Sequence, residues 1–285
     1  MRAEQFAEFW RRQGHRVVET ASCFWYNAQP FSFLSIPYHR DTDPASDELA
    51  RVFFGGPALA ARFFPADGSE PNRGLFVCSE RDYSLSSLDK KARNQTRRGL
   101  ENCTVEEIHF DYLADHAQAI NLDTSTRQGR SPQVVNERQW RRYCQAGAAL
   151  PDFEAWGAFV RGQLAAFMVT ALVEDWLNIL HQASATGALP FYPNNALTFT
   201  VTSLKLACPQ VAGVSYGLKS LEDTSSLDHF KLQMGYRLKP RGDRVVLHPL
   251  LRPLVRLGGK RFIEGMAKRH PASDFWRKAA CILTP

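Results

Sequence analysis

Trp176-Leu177-Asn178-Ile179-Leu180, followed by His181-Gln182-Ala183-Ser184-Ala185-Thr186-Gly187, is the stretch whose reading decides the fold. The first five residues are apolar and strand-like, and the next seven are small and polar. Pro193-Asn194-Asn195-Ala196-Leu197 then opens a helix expected to run to about Ala207, because proline is preorganised for a first helical position. Val211 to Leu218 reads as a second strand, and Ser225 to Tyr236 as a short helix ending at Gly235. A strand–helix–strand unit with a polar loop after its first strand is a common place for a ligand. The expectation is an α/β chain with a mixed sheet and its site at that loop.

Upstream, Glu154–Val160 and Gln163–Val173 flank Arg161-Gly162, the pattern of a hairpin feeding the central strand through a turn at Glu174-Asp175. Ala3 to Gly14 places Phe6, Phe9 and Trp10 on one helical face, and Asn136 to Ala149 does the same with Trp140, Tyr143 and Cys144. Arg16–Thr20, Phe31–Ile36, Leu75–Cys78, Thr104–Phe110 and Val245–Leu247 read as strands. Asp47–Phe54 and Leu113–Thr126 read as helices, and Pro65–Asn72 as a loop. The expected organisation is an N-terminal lobe over 1–80, a main domain over 81–248 and a basic amphipathic tail over 249–285.

The 285 residues are 44% hydrophobic and carry a net charge of +6, which fits a folded protein with a sizeable core. No run of about 18 apolar residues is present, so no membrane-spanning segment is expected. Met1-Arg2-Ala3-Glu4-Gln5-Phe6 has no apolar leader core, so the default location is cytoplasmic. The six cysteines show no Cys-x-x-Cys pairing, so buried thiols are expected rather than a zinc site. No His/Glu metal spacing and no Gly-x-Ser-x-Gly elbow occurs, which argues against metal and serine hydrolases.

From Arg241 onward ten basic residues face three acidic ones, so the excess charge sits in the tail. A second basic concentration, Lys90, Lys91, Arg93, Arg97 and Arg98, fills one face of a helix expected over Ser87–Leu100 and ending at Gly99. An anionic partner is one reading of each and a solvated surface another, and for the helix pairing with acidic residues of the fold is a third. The tail's interleaved leucines and arginines equally suit docking on an anionic surface or packing on its own domain.

The order of strand–turn–strand, polar loop, Pro193-Asn194-Asn195-Ala196-Leu197 helix, Tyr216-Gly217-Leu218 strand and Leu227-x-x-Phe230-Lys231-x-x-Met234-Gly235-Tyr236 helix resembles the FemAB-like and BioF2-like branch of the GNAT acyltransferase superfamily. Arg97-Arg98-Gly99-Leu100 resembles the Arg-rich helix near the start of those domains, and the resemblance spans Tyr83 to Leu247. It implies a GNAT-type central mixed sheet, with 1–80 as a reduced half of a two-domain arrangement. The activity it implies is amide-forming acyl or aminoacyl transfer. The donor would be a coenzyme A or acyl-carrier-protein thioester or an aminoacyl-tRNA, the acceptor an amine, with no tightly bound cofactor. One departure stands out: the Gly-rich loop that holds the coenzyme A pyrophosphate has no counterpart in His181–Pro190.

Such chemistry needs oxyanion stabilisation, a neutral amine and a proton for the leaving group. Lys231 suits the first role, or anchoring of a phosphate, although an ion pair with Asp228 is the plain alternative. His181 suits a general base, against a structural role, and Tyr216 a proton donor, against a buried hydroxyl satisfied by backbone. Gln182 and Ser184 of the loop, with Asn194 and Asn195, offer polar contacts, although one of the asparagines is expected to cap the helix. Arg127, Gln128 and Arg130 lie in a polar segment suited to binding a carboxylate or phosphate, or to ending a helix. Lys90, Arg93, Arg97 and Arg98 are the candidates for the donor's anionic part. A non-catalytic module binding RNA, an anionic membrane or an acidic protein is the alternative from another class.

Overall fold

The computed structural model describes residues 1–29, 31–67, 73–129, 136–219, 225–251, 253, 259–270, 273, 276–277 and 279–280. In chain order these form α1 (Ala3–Arg12), β1 (Val17–Glu19), β2 (Phe24–Gln29), β3 (Ser32–Ile36), α2 (Ser46–Phe54), β4 (Ala60–Phe63) and β5 (Arg73–Cys78). Then come α3 (Lys90–Asn102), β6 (Thr104–Ile108), α4 (Phe110–His116), α5 (Gln118–Arg127) and α6 (Glu137–Ala148). The central run is β7 (Phe153–Val160), β8 (Gln163–Val173), β9 (Trp176–Ser184), α7 (Pro193–Leu206) and β10 (Gly213–Leu218). It is followed by α8 (Ser225–Gln233), β11 (Arg237–Arg241), β12 (Arg244–Leu247) and α9 (Lys260–Arg269). The expected mixed α/β architecture is what the chain adopts, with one sheet ordered β11-β5-β10-β9-β8-β7-β6 and a second ordered β1-β2-β3-β4-β12.

Two compact units emerge, each assembled from separated stretches of sequence. One comprises 1–13, 76–217 and 226–238, and the other 14–75, 218–225 and 239–285. In the first, β6 to β9 form an antiparallel meander, and β10 joins β9 in parallel after the α7 crossover. Arg161 and Gly162 both have positive φ, 51° and 77°, the conformation a two-residue hairpin requires. Alternation along β8 and β9 sends residues to opposite faces. Met168 and Ile179 join Ala196, Leu197 and Val201 of α7 in one apolar cluster, while Phe167 packs against Trp140 of α6. Trp140, Tyr143 and Cys144 are buried, as their helical spacing predicts, and Asn136 caps α6 by accepting from the Gln139 amide.

Three elements differ from expectation in this unit. The Leu113–Thr126 helix is two helices, α4 and α5, meeting at Ala117. The basic helix starts later and runs through Gly99 to Asn102. A methyl on Gly99 would stand 2.8 Å from the Tyr192 carbonyl oxygen and 3.2 Å from the Ala196 side chain, so this glycine permits close approach of α7 rather than ending α3. The expected polar loop at His181–Ser184 is strand: Val169, Met168, Phe167 and Ala166 of β8 pair with His181, Gln182, Ala183 and Ser184.

In the second unit, β3 and β4 are parallel and joined by α2, a compact βαβ crossover, while β2–β3 and β4–β12 are antiparallel. Trp25, Phe33, Val52, Phe53, Ala61 and Phe63 form its core. Arg62 is buried within β4 and bonds Asp243, beside β12, and Arg73 Nε lies 3.7 Å from the same carboxylate. Four of the cysteines, Cys23, Cys78, Cys103 and Cys144, are buried thiols, whereas Cys208 is exposed. Among the described residues no helix is long and apolar enough to cross a membrane.

Candidate functional site

β9 and β10 part company after three residue pairs. The parallel register is Gly213 with Trp176, Val214 with Leu177 and Ser215 with Asn178. Opposite β8, Val169 faces His181 and Thr170 faces Ile179, so Leu180 is an extra residue on β9. Such a bulge bends the strand that carries it. β9 therefore continues along β8 to Ser184 while β10 runs to Leu218, and the C-terminal halves of two parallel neighbours open into a fork. Ligands of α/β sheets commonly sit outside the carboxyl ends of strands at such a parting.

Side chains from three elements meet across this fork. The Tyr216 hydroxyl on β10 donates to Gln182 Oε1 on β9. Gln182 Nε2 donates to Asn194 Oδ1 at 3.2 Å and to Thr198 Oγ1 at 3.1 Å on α7. Asn194 Nδ2 donates to Ser184 Oγ at 2.8 Å. Asn194 and Thr198 are four residues apart, one helical turn, which is why both reach Gln182. Neither asparagine caps α7: the N-cap is Tyr192 in the left-handed conformation, with no side-chain cap bond. Asn195 points elsewhere, is buried, and donates to Met234 Sδ at 3.5 Å. The N-terminus of α7 faces this network and brings the positive end of its dipole to it.

Lys231 on α8 closes one side. Its ammonium lies 4.4 Å from the centroid of the Phe76 ring and 5.5 Å from that of Tyr216. The Asp228 carboxylate, one turn earlier, is 3.6 Å away. Cation–π attraction of this kind strengthens when the cation is desolvated, as it is here. Asp228 Oδ1 is buried without a hydrogen-bond partner. Tyr216 is packed edge-on against Phe230 and Tyr236, and burial pushes its phenol pKa above the usual value, so it keeps its proton at neutral pH.

Arg127 is engaged in holding the strand end. Its guanidinium donates to Ser184 O at 3.1 Å, Ser184 Oγ at 3.3 Å, Thr186 Oγ1 at 2.7 Å and Thr124 Oγ1 at 3.4 Å. Thr124 in turn bonds both the amide and the carbonyl of Ser184. Asp123 accepts from the Thr186 amide and hydroxyl, which hold its carboxyl below the usual carboxylate range. Gln128 is exposed at the helix end, where its backbone N–H reaches Thr124 O. Arg130 lies outside the described residues.

His181, expected at the mouth of a loop, is on the face of β9 opposite Gln182. Its ring is edge-on to Trp140, Tyr143 and Phe167, and Nε2 is 3.0 Å from Asn121 Oδ1. An amide oxygen only accepts, so Nε2 carries the proton and Nδ1 is the bare nitrogen, buried without a partner. Burial lowers the ring pKa from 6.5 to about 4. This neutral ring packs on aromatics away from Tyr216 and Lys231 and occupies a structural position.

The basic residues of α3 divide. Arg93 turns back to donate to the carbonyls of Leu85, Ser86 and Leu88, and so closes the turn before its own helix. Arg98 lies over the Tyr192 ring at 5.0 Å and donates to its hydroxyl at 3.3 Å. Lys90 and Arg97 are exposed, with no ion pair among the described residues. Residues that sequence reasoning did not single out are Phe76, Thr124, Asn121 and Thr198, and Asp228 entered only as a partner for Lys231. The spacings Asn194/Thr198 and Asp228/Lys231 were the available signals.

No family model matches the chain, and no curated protein matches it either. Solved structures do. FemX superposes with a TM-score of 0.64 over 89% of this chain and 92% of that one, at 13% identity. The C-terminal domain of a protein from Agrobacterium fabrum, assigned as a lysylphosphatidylglycerol synthetase, gives 0.56 over 89% and 90%, also at 13%. L-PGS from Bacillus licheniformis gives 0.57 over 91% and 95%, at 12%. The fold is therefore of the FemAB-like type, as the sequence resemblance implied.

Proposed function

We propose that the chain is an acyl or aminoacyl transferase that forms an amide at the β9–β10 fork. Attack of an acceptor amine on the donor carbonyl carbon places negative charge on the carbonyl oxygen, and the leaving thiol or hydroxyl must gain a proton. Lys231, a desolvated cation steered by Phe76 and Tyr216, is the residue suited to that charge. Tyr216, whose phenol stays protonated, suits hydrogen bonding to the same oxygen or proton delivery to the leaving group. Gln182, itself held by Asn194, orients the Tyr216 hydroxyl. Asp228, whose Oδ1 makes no hydrogen bond and is ion-paired to Lys231 at 3.6 Å, suits receipt of the amine's proton, a role His181 does not reach from the other face. Lys90 and Arg97, with Arg98, suit the polyanionic part of a donor: aminoacyl-tRNA, an acidic acyl carrier protein or coenzyme A. The observation that carries the reading is the placement of Lys231 and Tyr216 at the open end of two parted parallel strands.

The test is transfer of labelled acyl groups from each of the three donor types to a panel of amines. Loss of one well-placed donor to an oxyanion costs roughly 100-fold in kcat, so Lys231→Met and Tyr216→Phe should each fall by about that factor. Full rates in both variants refute the assignment. A second reading, a binding module without turnover, is favoured by one feature: the Tyr216–Gln182 bond already spans the fork. Steeply salt-dependent RNA binding without transfer from any donor decides for it.

A further inference from the structure

In the second unit, one end of the five-stranded sheet exposes four large apolar side chains. Phe54 is 70% exposed, Leu250 73%, Phe31 45% and Leu59 41%. Backbone bonds tie them together. Phe31 O accepts from the Leu59 and Ala60 amides at 2.7 and 3.1 Å, and Leu59 O accepts from the His248 amide at 2.9 Å. The Phe54 ring is edge-on to His248 at 5.2 Å, and the Leu250 amide donates to His248 Nδ1 at 3.2 Å. Contiguous apolar surface of this kind marks an interaction site more often than a bare exterior.

Phe31 adds an independent indication. Its φ is 61°, a conformation that glycine or asparagine adopts freely and that is an outlier for a bulky residue. Phenylalanine at this turn incurs both backbone strain and exposed apolar area, so its ring is what the position supplies. The rim is basic. The Arg16 guanidinium lies against Gly55 and Gly56, where a methyl on Gly56 would stand 1.5 Å from its Nη1. Arg51 is exposed one turn before Phe54, while the acids of α2, Asp47 and Glu48, lie at the helix's far end and Glu48 is buried on Ser22. Past Leu250 the chain continues to α9, where Phe262 is 62% exposed between the exposed Arg261 and the exposed pair Lys268 and Arg269.

Exposed aromatics and leucines with arginines beside them fit the interface of a bilayer, apolar groups entering the acyl boundary and cations meeting phosphates. We infer that this end of the second unit docks on an anionic phospholipid surface through Phe31, Phe54, Leu59 and Leu250, with Arg16 and Arg51 at the headgroups. This does not depend on the transfer chemistry proposed above.

The test is cosedimentation of the full chain with vesicles of mixed phosphatidylglycerol and phosphatidylcholine, and with phosphatidylcholine alone. Binding should require the anionic lipid, weaken with added salt and fall at least about tenfold in Phe54→Ser/Leu250→Ser. Phe31→Asn fits the left-handed turn, so it should keep or raise the unfolding temperature while still losing affinity. The inference is overturned by absence of binding, by equal binding to both vesicles, or by folded variants that bind as wild type. It is also overturned if the patch instead holds a dimer that the double variant splits.

Discussion

Acidification should destabilise this protein through His181, and the size of the effect follows from its surroundings. The ring is enclosed by Trp140, Tyr143 and Phe167, with only Asn121 to bond, and its pKa falls from 6.5 to about 4. The folded state therefore favours the neutral ring, and the unfolded chain takes up the proton first. Stability is full above the unfolded value and declines as pH drops through the interval between 6.5 and about 4. At about pH 5 the two pKa values give a loss of roughly 2 kcal/mol, approaching about 3 kcal/mol below both.

His181→Gln isolates the term, because a glutamine amide can donate to Asn121 Oδ1 but does not titrate. Urea midpoints of the two proteins, taken near neutrality and near pH 5, give the contribution as a difference of differences. Wild type should lose about 2 kcal/mol more than the variant on acidification. Parallel profiles, or an imidazole resonance titrating near 6.5, would falsify the account. The latter result would also return His181 to the list of groups that exchange protons at neutral pH.

Other perturbations have equally definite outcomes. Asp243→Ala leaves Arg62 buried without its carboxylate, and chemical denaturation should show a loss of about 3–5 kcal/mol. Gly99→Ala drives a methyl against the Tyr192 carbonyl and Ala196, so α3 and α7 must separate slightly; a loss of about 1–3 kcal/mol is expected from the same assay. Among the described cysteines, Cys208 should react first with a thiol reagent under native conditions, because burial pushes the thiols of Cys23, Cys78, Cys103 and Cys144 upward. Mass spectrometry of partially labelled protein reads the order directly.

What the sequence shows and what it hides divides by the range of the interaction responsible. The β7–β8 hairpin and α6 were legible because their causes are local: a two-residue turn with positive φ between alternating runs, and aromatics at helical spacing behind an asparagine cap. β4 was not, since Ala60-Ala61-Arg62-Phe63 carries a charge at a buried position and only Asp243, 181 residues later, makes that tolerable. Gly99 misled for a related reason: a glycine near a helix end has the same local signature whether it stops the helix or admits another one.

The end of β9 shows the same limit at the candidate site. His181-Gln182-Ala183-Ser184 has the composition of a loop, and no local rule makes it strand. Its hydrogen-bond ladder comes from β8, and its side chains are satisfied by Asn121 and Arg127 of α5 and by Asn194 and Thr198 of α7. A polar segment after the first strand of a β-α-β unit pointed to this stretch as the candidate site, but its residues could not be sorted from composition. As a loop, His181 and Gln182 would be neighbours facing one substrate. As a bulged strand they face opposite ways, one into an aromatic wall and the other toward Tyr216. Leu180 is taken up as a bulge rather than as a paired residue, and that sets which of the two reaches the fork, because shifting a strand by one position exchanges its faces. Deleting Leu180 removes the bulge but makes Thr170–Ile179 and Val169–His181 consecutive pairs, so the His181 ring should stay among the aromatics, its imidazole titration still at about 4, while the bend that opens the fork is lost.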